Sequence, residues 1–363
     1  MNNENGKHAI ICVHEDRAHC ITGAKLAVLS LRAHCPQLPV VVSCPTAPPS
    51  FIAWINRHSG VTLASYPETK NCAWNVKPTV LLRLLDEGYQ EVIWVDSDIV
   101  AHGDVLTGLT RHSRETFGAT EETYWGQNQG GTARTVAWGL TPGREMPCTV
   151  NSGVIRVTTE HIQLLKDWQC MLKHPVYVRA QSLPWYERPL HMITDQEVLT
   201  ALLGAKEYAH IPLALLKRGV DIAQCMGPGG FTPWERIRAL SSGLPGLVHS
   251  MGIKPWTREH KPPRIGLNAS SLRRYYEYLH VELTPYVREA KKYGAALEDE
   301  DLGWLELSSL PARTMAAIMF SSAILQEFPL SLVDTAARSW RRWLKIARYP
   351  LHEDFCLHQS PLR

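Results

Sequence analysis

Glu91-Val92-Ile93-Trp94-Val95-Asp96-Ser97-Asp98-Ile99-Val100 is an apolar run that ends in two carboxylates. Its apolar residues follow no helical period, so Glu91 to Val95 reads as a buried strand. Residues i and i+2 of a strand point the same way, so Asp96 and Asp98 project together from its carboxyl end. Upstream, Ala9 to Val13, Pro39 to Ser43 and Val61 to Ala64 read as strands. Helical patterns alternate with them: Thr22 to about Ala33, capped by Thr22 and stopped by Pro36; Phe51 to Arg57; and Pro78 to Glu87, closed by Gly88. Alternating strands and helices of this kind predict an α/β chain with a mostly parallel sheet covered by helices on both faces. In such sheets ligands bind at the carboxyl ends of the strands, where the two aspartates sit.

Beyond residue 120 the texture changes. Tyr124 to Pro147, Pro175 to Pro189 and Cys225 to Gly230 are long irregular stretches, and loops of this length usually carry function. Trp125, Trp138 and Trp185 lie in the first two and can either stack on sugar faces or pack in the core. A strand is expected near Gly153 to Val157, with helices at Thr159 to Lys173 and Asp195 to Leu203.

Composition narrows the class. The chain has 363 residues, with 38 Lys plus Arg against 35 Asp plus Glu, a net charge of +3. That balance argues against a nucleic-acid partner. With 45% hydrophobic and 20% charged residues, global disorder is excluded. The start, Met1 to Lys7, is polar and lacks the apolar core of a secretory signal. Thr314 to Leu325 is interrupted by Ser321 and Ser322 and falls short of the roughly 20 residues that span a bilayer. Nine cysteines without a CxxC pair read as reduced thiols, hence a cytoplasmic protein.

Paired hard oxygen ligands such as Asp96 and Asp98 suit Mg²⁺ or Mn²⁺ bridging a phosphate. They also match the nucleophile motif of haloacid-dehalogenase-type phosphatases, with Asp96 as nucleophile and Asp98 as acid/base. Four further motifs weigh against that alternative: Asn75-Val76-Lys77-Pro78, Val150-Asn151-Ser152-Gly153, Thr194-Asp195-Gln196-Glu197, and His249-Ser250-Met251-Gly252-Ile253-Lys254-Pro255-Trp256. In this order they resemble the retaining glycosyltransferases of family 8, the glycogenin and lipopolysaccharide galactosyltransferase type, over about residues 8 to 260.

The resemblance implies a GT-A-type fold and a hexosyltransferase that uses a nucleotide sugar, a UDP-hexose, with Mn²⁺ or Mg²⁺. It implies metal ligands at Asp96, Asp98 and His249. Lys254 would contact the diphosphate, Gly252 would let the backbone approach it, and Lys77 would face the donor. Asn151 and Gly153 correspond to sugar contacts. Asp195 would bind donor hydroxyls, with Gln196 beside the anomeric carbon. Plain structural roles compete: a core histidine at His249, a turn at Asn151, a first-turn helix acid at Asp195. There are departures: one residue rather than two separates Gly252 from Lys254, and Glu197 replaces an aspartate. Retention of configuration is implied by the family alone. No pair of residues identifies a nucleophile and base, which suits a front-face reaction in which the leaving phosphate helps deprotonate the acceptor. A non-catalytic nucleotide-sugar or glycan-binding protein is the other alternative.

From Ala269 the chain reads as helical, with a break at Thr284-Pro285 and a last helix from Ser331 to Ile346. The expected division is a catalytic domain over residues 1–265 and a helical C-terminal region over 266–363. Residues 331–363 hold six basic and three acidic side chains, the whole net charge of +3. Trp340-Arg341-Arg342-Trp343-Leu344-Lys345 interleaves rings and cations in the way an interfacial helix meets anionic lipid. Attachment to the inner face of a membrane would suit a lipid-linked acceptor; a glycan or small-molecule acceptor is equally compatible.

Overall fold

The computed structural model describes residues 7–122, 130–259, 261–266, 268–297, 302–343 and 355–362. Trp125, Lys345, Arg348, Glu353, Asp354 and Arg363 lie outside these residues, as does the side chain of Arg342.

The central sheet begins as expected. Strands β1 (Lys7–His14), β2 (Val40–Ser43), β3 (Val61–Ala64) and β4 (Tyr89–Asp96) are parallel and are linked by helices α1 (Ile21–His34), α2 (Pro49–Asn56) and α3 (Lys77–Asp86). Helix α1 starts one residue earlier than Thr22. Cys20 is its N-cap and makes no side-chain capping bond, so Thr22 sits inside the first turn. β5 (Ile99–Ala101) follows the aspartates, and the short α4 (Leu106–Leu109) leads to β6 (Phe117–Glu121). After α5 (Ala133–Ala137) comes β7 (Val150–Thr158), buried along all nine residues and longer than the apolar core of the motif suggested. Next are α6 (Ile162–Leu172), α7 (Pro175–Gln181), α8 (Asp195–Gly204), β8 (Leu213–Leu216), β9 (Ile222–Gln224), α9 (Pro233–Ser242) and β10 (Leu247–His249). Residues 159–161 form a separate 3-10 turn capped by Thr158 before α6 begins.

Seven strands run in the order β3-β2-β1-β4-β7-β6-β8, with β7 antiparallel to both neighbours. Alternate side chains of β4 enter different layers. Val92 and Trp94 face the side covered by α3, α6 and α8, while Ile93 and Val95 face α1 and α2. The sheet is therefore mostly parallel and covered on both faces, the α/β arrangement read from the sequence.

A second, three-stranded sheet in the order β5-β10-β9 sets the position of the site. β10 pairs antiparallel with β5, so that His249 lies opposite Ile99, and Ser250 N donates to Asp98 O at 2.9 Å. The turn at Asp96–Asp98 thus joins the two sheets, and a strand 150 residues later returns to it.

The last part is helical, as expected: α10 (Ala269–Leu283), α11 (Pro285–Ala290), α12 (Leu310–Ile318) and α13 (Phe328–Trp343). It packs onto the sheets. Tyr286, Val287 and Trp304 share an apolar cluster with Leu26, Val100 and Val248. Arg236 of α9 pairs with Glu327 at 2.5 Å, both fully buried. Residues 355–362 return to the body, where Leu357 N donates to Ala137 O. Among the described residues no helix is long and apolar enough to cross a membrane.

Candidate functional site

A cleft of about 490 Å³ opens at the carboxyl ends of β1 and β4 and is lined by residues of both sheets. Lys77, Asp96, Asp98, Asn151, Gly153, Asp195, Gln196, His249, Gly252 and Lys254 all line it. Residues as far apart as 77 and 254 are brought together by the register. His14 pairs with Asp96 across β1 and β4, while β7 runs antiparallel beside β4 and carries Asn151 to the same end.

His249 Nε2 lies 3.2 Å from Asp98 Oδ1 and 4.0 Å from Asp96 Oδ2. One ligand atom from each residue falls within 4.8 Å of the other two. Two carboxylate oxygens and one imidazole nitrogen suit Mn²⁺ or Mg²⁺. Lys254 places its ammonium directly on Asp98 Oδ2 and also donates to Ser250 O at 3.0 Å. Burial alone would raise the Asp98 pKa, yet Lys254 and His249 outweigh it and hold the carboxyl well below its ordinary range. Asp96 is oriented by Trp94 Nε1, which donates to it at 2.7 Å.

Lys77 is buried at the first turn of α3. Its ammonium donates to Ser152 Oγ at 2.6 Å and Ser152 O at 3.0 Å, and lies 3.3 Å from Asp96 and 3.7 Å from Asp195. Burial works against its charge, but the two aspartates outweigh it and raise its pKa. For Asp195, fully enclosed, burial wins instead: it raises the pKa despite Lys77 and the Ser152 hydroxyl, which donates to it at 2.8 Å. Thr194 caps α8 together with Glu197 in the reciprocal arrangement that the sequence indicated.

Asn151 and Gln196 meet on an acid that the sequence reading did not single out. Gln196 Nε2 donates to Glu122 Oε2 at 2.5 Å, and Asn151 Nδ2 donates to the same oxygen at 3.0 Å. Glu122 is fully buried just past β6. The Glu121-Glu122 pair ahead of a polar loop was its only signal. Asn151 belongs to a strand rather than a turn, and its Oδ1 accepts from Gly153 N at 2.9 Å. Gly153 is hemmed in by side chains: a Cβ there would stand 2.7 Å from His249 Cε1 and 2.8 Å from Asn151 Oδ1. Gly252 has φ +83° and open space around it, so a bare, left-handed backbone edges the cleft beside Lys254.

Other groups line the cleft as well, of which the sequence reading singled out Trp185. His14 stacks on Trp94 with ring centroids 6.0 Å apart. Ser97 Oγ donates to Glu15 Oε2 at 2.6 Å, and Glu15 also pairs with Arg17. Trp74 and Trp185 are half exposed on the cleft wall, with the Arg188 guanidinium 5.7 Å from the Trp74 ring centre. Trp138 is fully buried, and its indole N–H donates to His191 O at 2.9 Å, so it belongs to the core and not to a sugar platform.

No protein-family model matches the chain, and no curated protein matches it in sequence. Solved glycosyltransferase structures do share similarity with it. A glycosyltransferase involved in glycosylation of the major capsid of PBCV-1 is 11% identical, with TM-score 0.39, covering 68% of this chain and 94% of that one. The bifunctional glycosyltransferase WbbM is 13% identical, with TM-score 0.46, covering 80% of this chain and 52% of that one. The galactosyltransferase LgtC, solved with donor and acceptor sugar analogues, is 16% identical, with TM-score 0.44, covering 78% and 95%.

Proposed function

We propose that this protein is a metal-dependent glycosyltransferase that moves a hexose from a nucleotide sugar, a UDP-hexose, to a hydroxyl acceptor with retention of configuration. The observation that carries this reading is the convergence of Asp96, Asp98 and His249 with two lysines at the floor of one cleft. Residues 1–265 would form the catalytic part and 266–363 its helical support.

Asp96, Asp98 and His249 would hold Mn²⁺ or Mg²⁺. Such an ion supplies Lewis-acid stabilisation of charge growing on a leaving diphosphate. Lys254 adds a second positive charge beside the same place, and the bare backbone at Gly252 leaves room for phosphate oxygens. Lys77 fixes Asp96 and Asp195 in one orientation and lowers the repulsion between them. Glu122, Asn151 and Gln196 line the interior as a connected set of acceptors and amides, with Asp195 held separately by Ser152 and Lys77; together they are the equipment needed to hold hexose hydroxyls. Each of these four side chains already has a hydrogen-bond partner. A sugar of the wrong stereochemistry would break those bonds without replacing them. The half-exposed Trp74 and Trp185 offer flat apolar faces at the mouth for an acceptor.

The deciding experiment is a panel of nucleotide sugars with Mn²⁺, scored for slow donor hydrolysis. Release of sugar and nucleoside diphosphate from one donor, abolished by EDTA, is the expected result. Phosphate release from phospho-sugars in the absence of any nucleotide sugar would instead identify a phosphatase. Binding of UDP with Mn²⁺ but no turnover of any donor would identify a binding protein. Product NMR showing inverted anomeric configuration would overturn retention.

A further inference from the structure

Helix α13 is amphipathic in the reverse sense to an ordinary surface helix. At 3.6 residues per turn, Leu332, Val333, Ala336, Trp340 and Trp343 fall within an arc of about 100°. A surface helix normally turns such a stripe to the core. Here all five are exposed, and Trp340 and Trp343 keep 63% and 70% of their surface in solvent. Their rings lie together, with centroids 5.3 Å apart. Phe320, in the turn leading into the helix, is 91% exposed.

The inward face is polar. Asp334 Oδ2 accepts from Gly229 N at 2.8 Å, and Arg338 Nη2 donates to Met226 O at 3.0 Å. Asp334 and Arg338 also pair with each other at 2.7 Å. The loop they grip supplies Met226 to the wall of the cleft. The outward apolar face and the cleft wall are therefore two sides of one helix–loop unit.

We propose that α13 is a docking helix for an anionic lipid surface, and that docking braces the Met226–Gly230 loop at the cleft. Charge selects this occupant. From 335 to 352 the sequence carries Arg338, Arg341, Arg342, Lys345 and Arg348 and no acid. A second copy placed face to face would bring two such basic stretches together, whereas anionic headgroups neutralise them. Trp side chains on the same face suit the headgroup layer. A lipid-linked acceptor then follows as the substrate class. That last step rests on the glycosyl-transfer reading. Lipid binding does not, so the two can fail separately.

The test is flotation of the full-length protein with vesicles of phosphatidylglycerol and phosphatidylcholine, or of phosphatidylcholine alone. The wild type is expected to float with the anionic vesicles only and to be released at high salt. The Trp340→Glu/Trp343→Glu double variant, with unchanged circular dichroism and melting temperature, is expected to stay at the bottom. A wild type that stays at the bottom with anionic vesicles, or a double variant that floats like the wild type, overturns docking. So does light scattering showing a dimer that the double variant makes monomeric, since the face would then belong to a second copy. Hydrogen exchange reads the bracing. Amides of residues 226–230 should slow on adding anionic vesicles, and Asp334→Ala should float yet lose that slowing. No slowing in the wild type overturns the bracing.

Discussion

The backbone of Gly153 runs against the ring of His249 so closely that a Cβ there would stand 2.7 Å from His249 Cε1. No such contact is tolerated without movement, and Asn151 Oδ1 blocks the other side at 2.8 Å. Gly153→Ala is therefore expected to push the imidazole away from Asp98. A misplacement on that scale can lower turnover by about 10²-fold. The measurement is a Mn²⁺ titration of donor hydrolysis alongside circular dichroism. Wild-type metal affinity in a folded Gly153→Ala protein would remove His249 from the metal set.

Asp98 sits between His249 and Lys254 and carries the lowered carboxyl pKa of the site. Asp98→Asn keeps its shape but removes the charge. Loss of one electrostatic contributor at a site of developing charge typically lowers turnover by about 10²–10³-fold. Donor turnover should fall on that scale and lose its response to added Mn²⁺, with the fold retained. Unchanged turnover would detach the aspartate pair from the chemistry.

The aspartate pair was legible because an apolar strand must end somewhere, and polar residues at its carboxyl end mark the place. Alternation of β1 to β4 with helices was legible for the same reason. His249 could be suspected from its neighbours. What delivers it is the pairing of β10 with β5, each only three residues long, and runs that short carry no readable period. The bond from Lys77 to Ser152 and its approach to Asp195 span 75 and 118 positions, which no local pattern encodes. Glu122 was missed because a buried acid resembles a surface acid until its partners are known. The Trp-Arg pattern of α13 was visible, but the direction of its apolar face was not. That direction is set by Asp334 and Arg338 reaching the 226–230 loop.

Glu327 joins the last helices to the body. It pairs with Arg236 at 2.5 Å and accepts from His280, and both Arg236 and Glu327 are fully buried. Burial would raise its pKa, but His280 and Arg236 outweigh that and lower it. Glu327→Ala would leave a buried guanidinium without its counter-ion, at a cost of about 3–5 kcal/mol. Urea unfolding should show this loss. Replacing both partners by apolar residues, Arg236→Met with Glu327→Leu, should recover much of it, since the stranded charge is then gone. A Glu327→Ala protein as stable as the wild type would show that the pair is solvated.

Acid should destabilise the fold through its buried histidines. Burial lowers His161 and His191 from 6.5 to about 4, opposed in each by a backbone hydrogen bond. The unfolded chain then binds protons between pH 6.5 and 4 that the native chain refuses, so stability is complete above 6.5 and falls as pH drops through that window. A shift of that size corresponds to about 3 kcal/mol per histidine. Glu197 acts in the opposite sense. Burial raises it from 4.5 to about 7 despite Arg134, so the native state holds a proton that the unfolded chain has released, and stability falls as pH rises from 4.5 to 7. Its contribution is also about 3 kcal/mol, so it offsets one histidine and leaves the other to set the net slope. Urea midpoints should therefore decline from pH 6.5 to 4.5. His161→Gln removes one titrating imidazole; the Nδ1 acceptor for Thr158 N and the contact of Nε2 with Glu115 O are what the glutamine amide must replace. Its midpoint should be lower than wild type at pH 7, yet nearly flat across the window. A decline as steep as that of the wild type would mean that His161 is already protonated in the native protein.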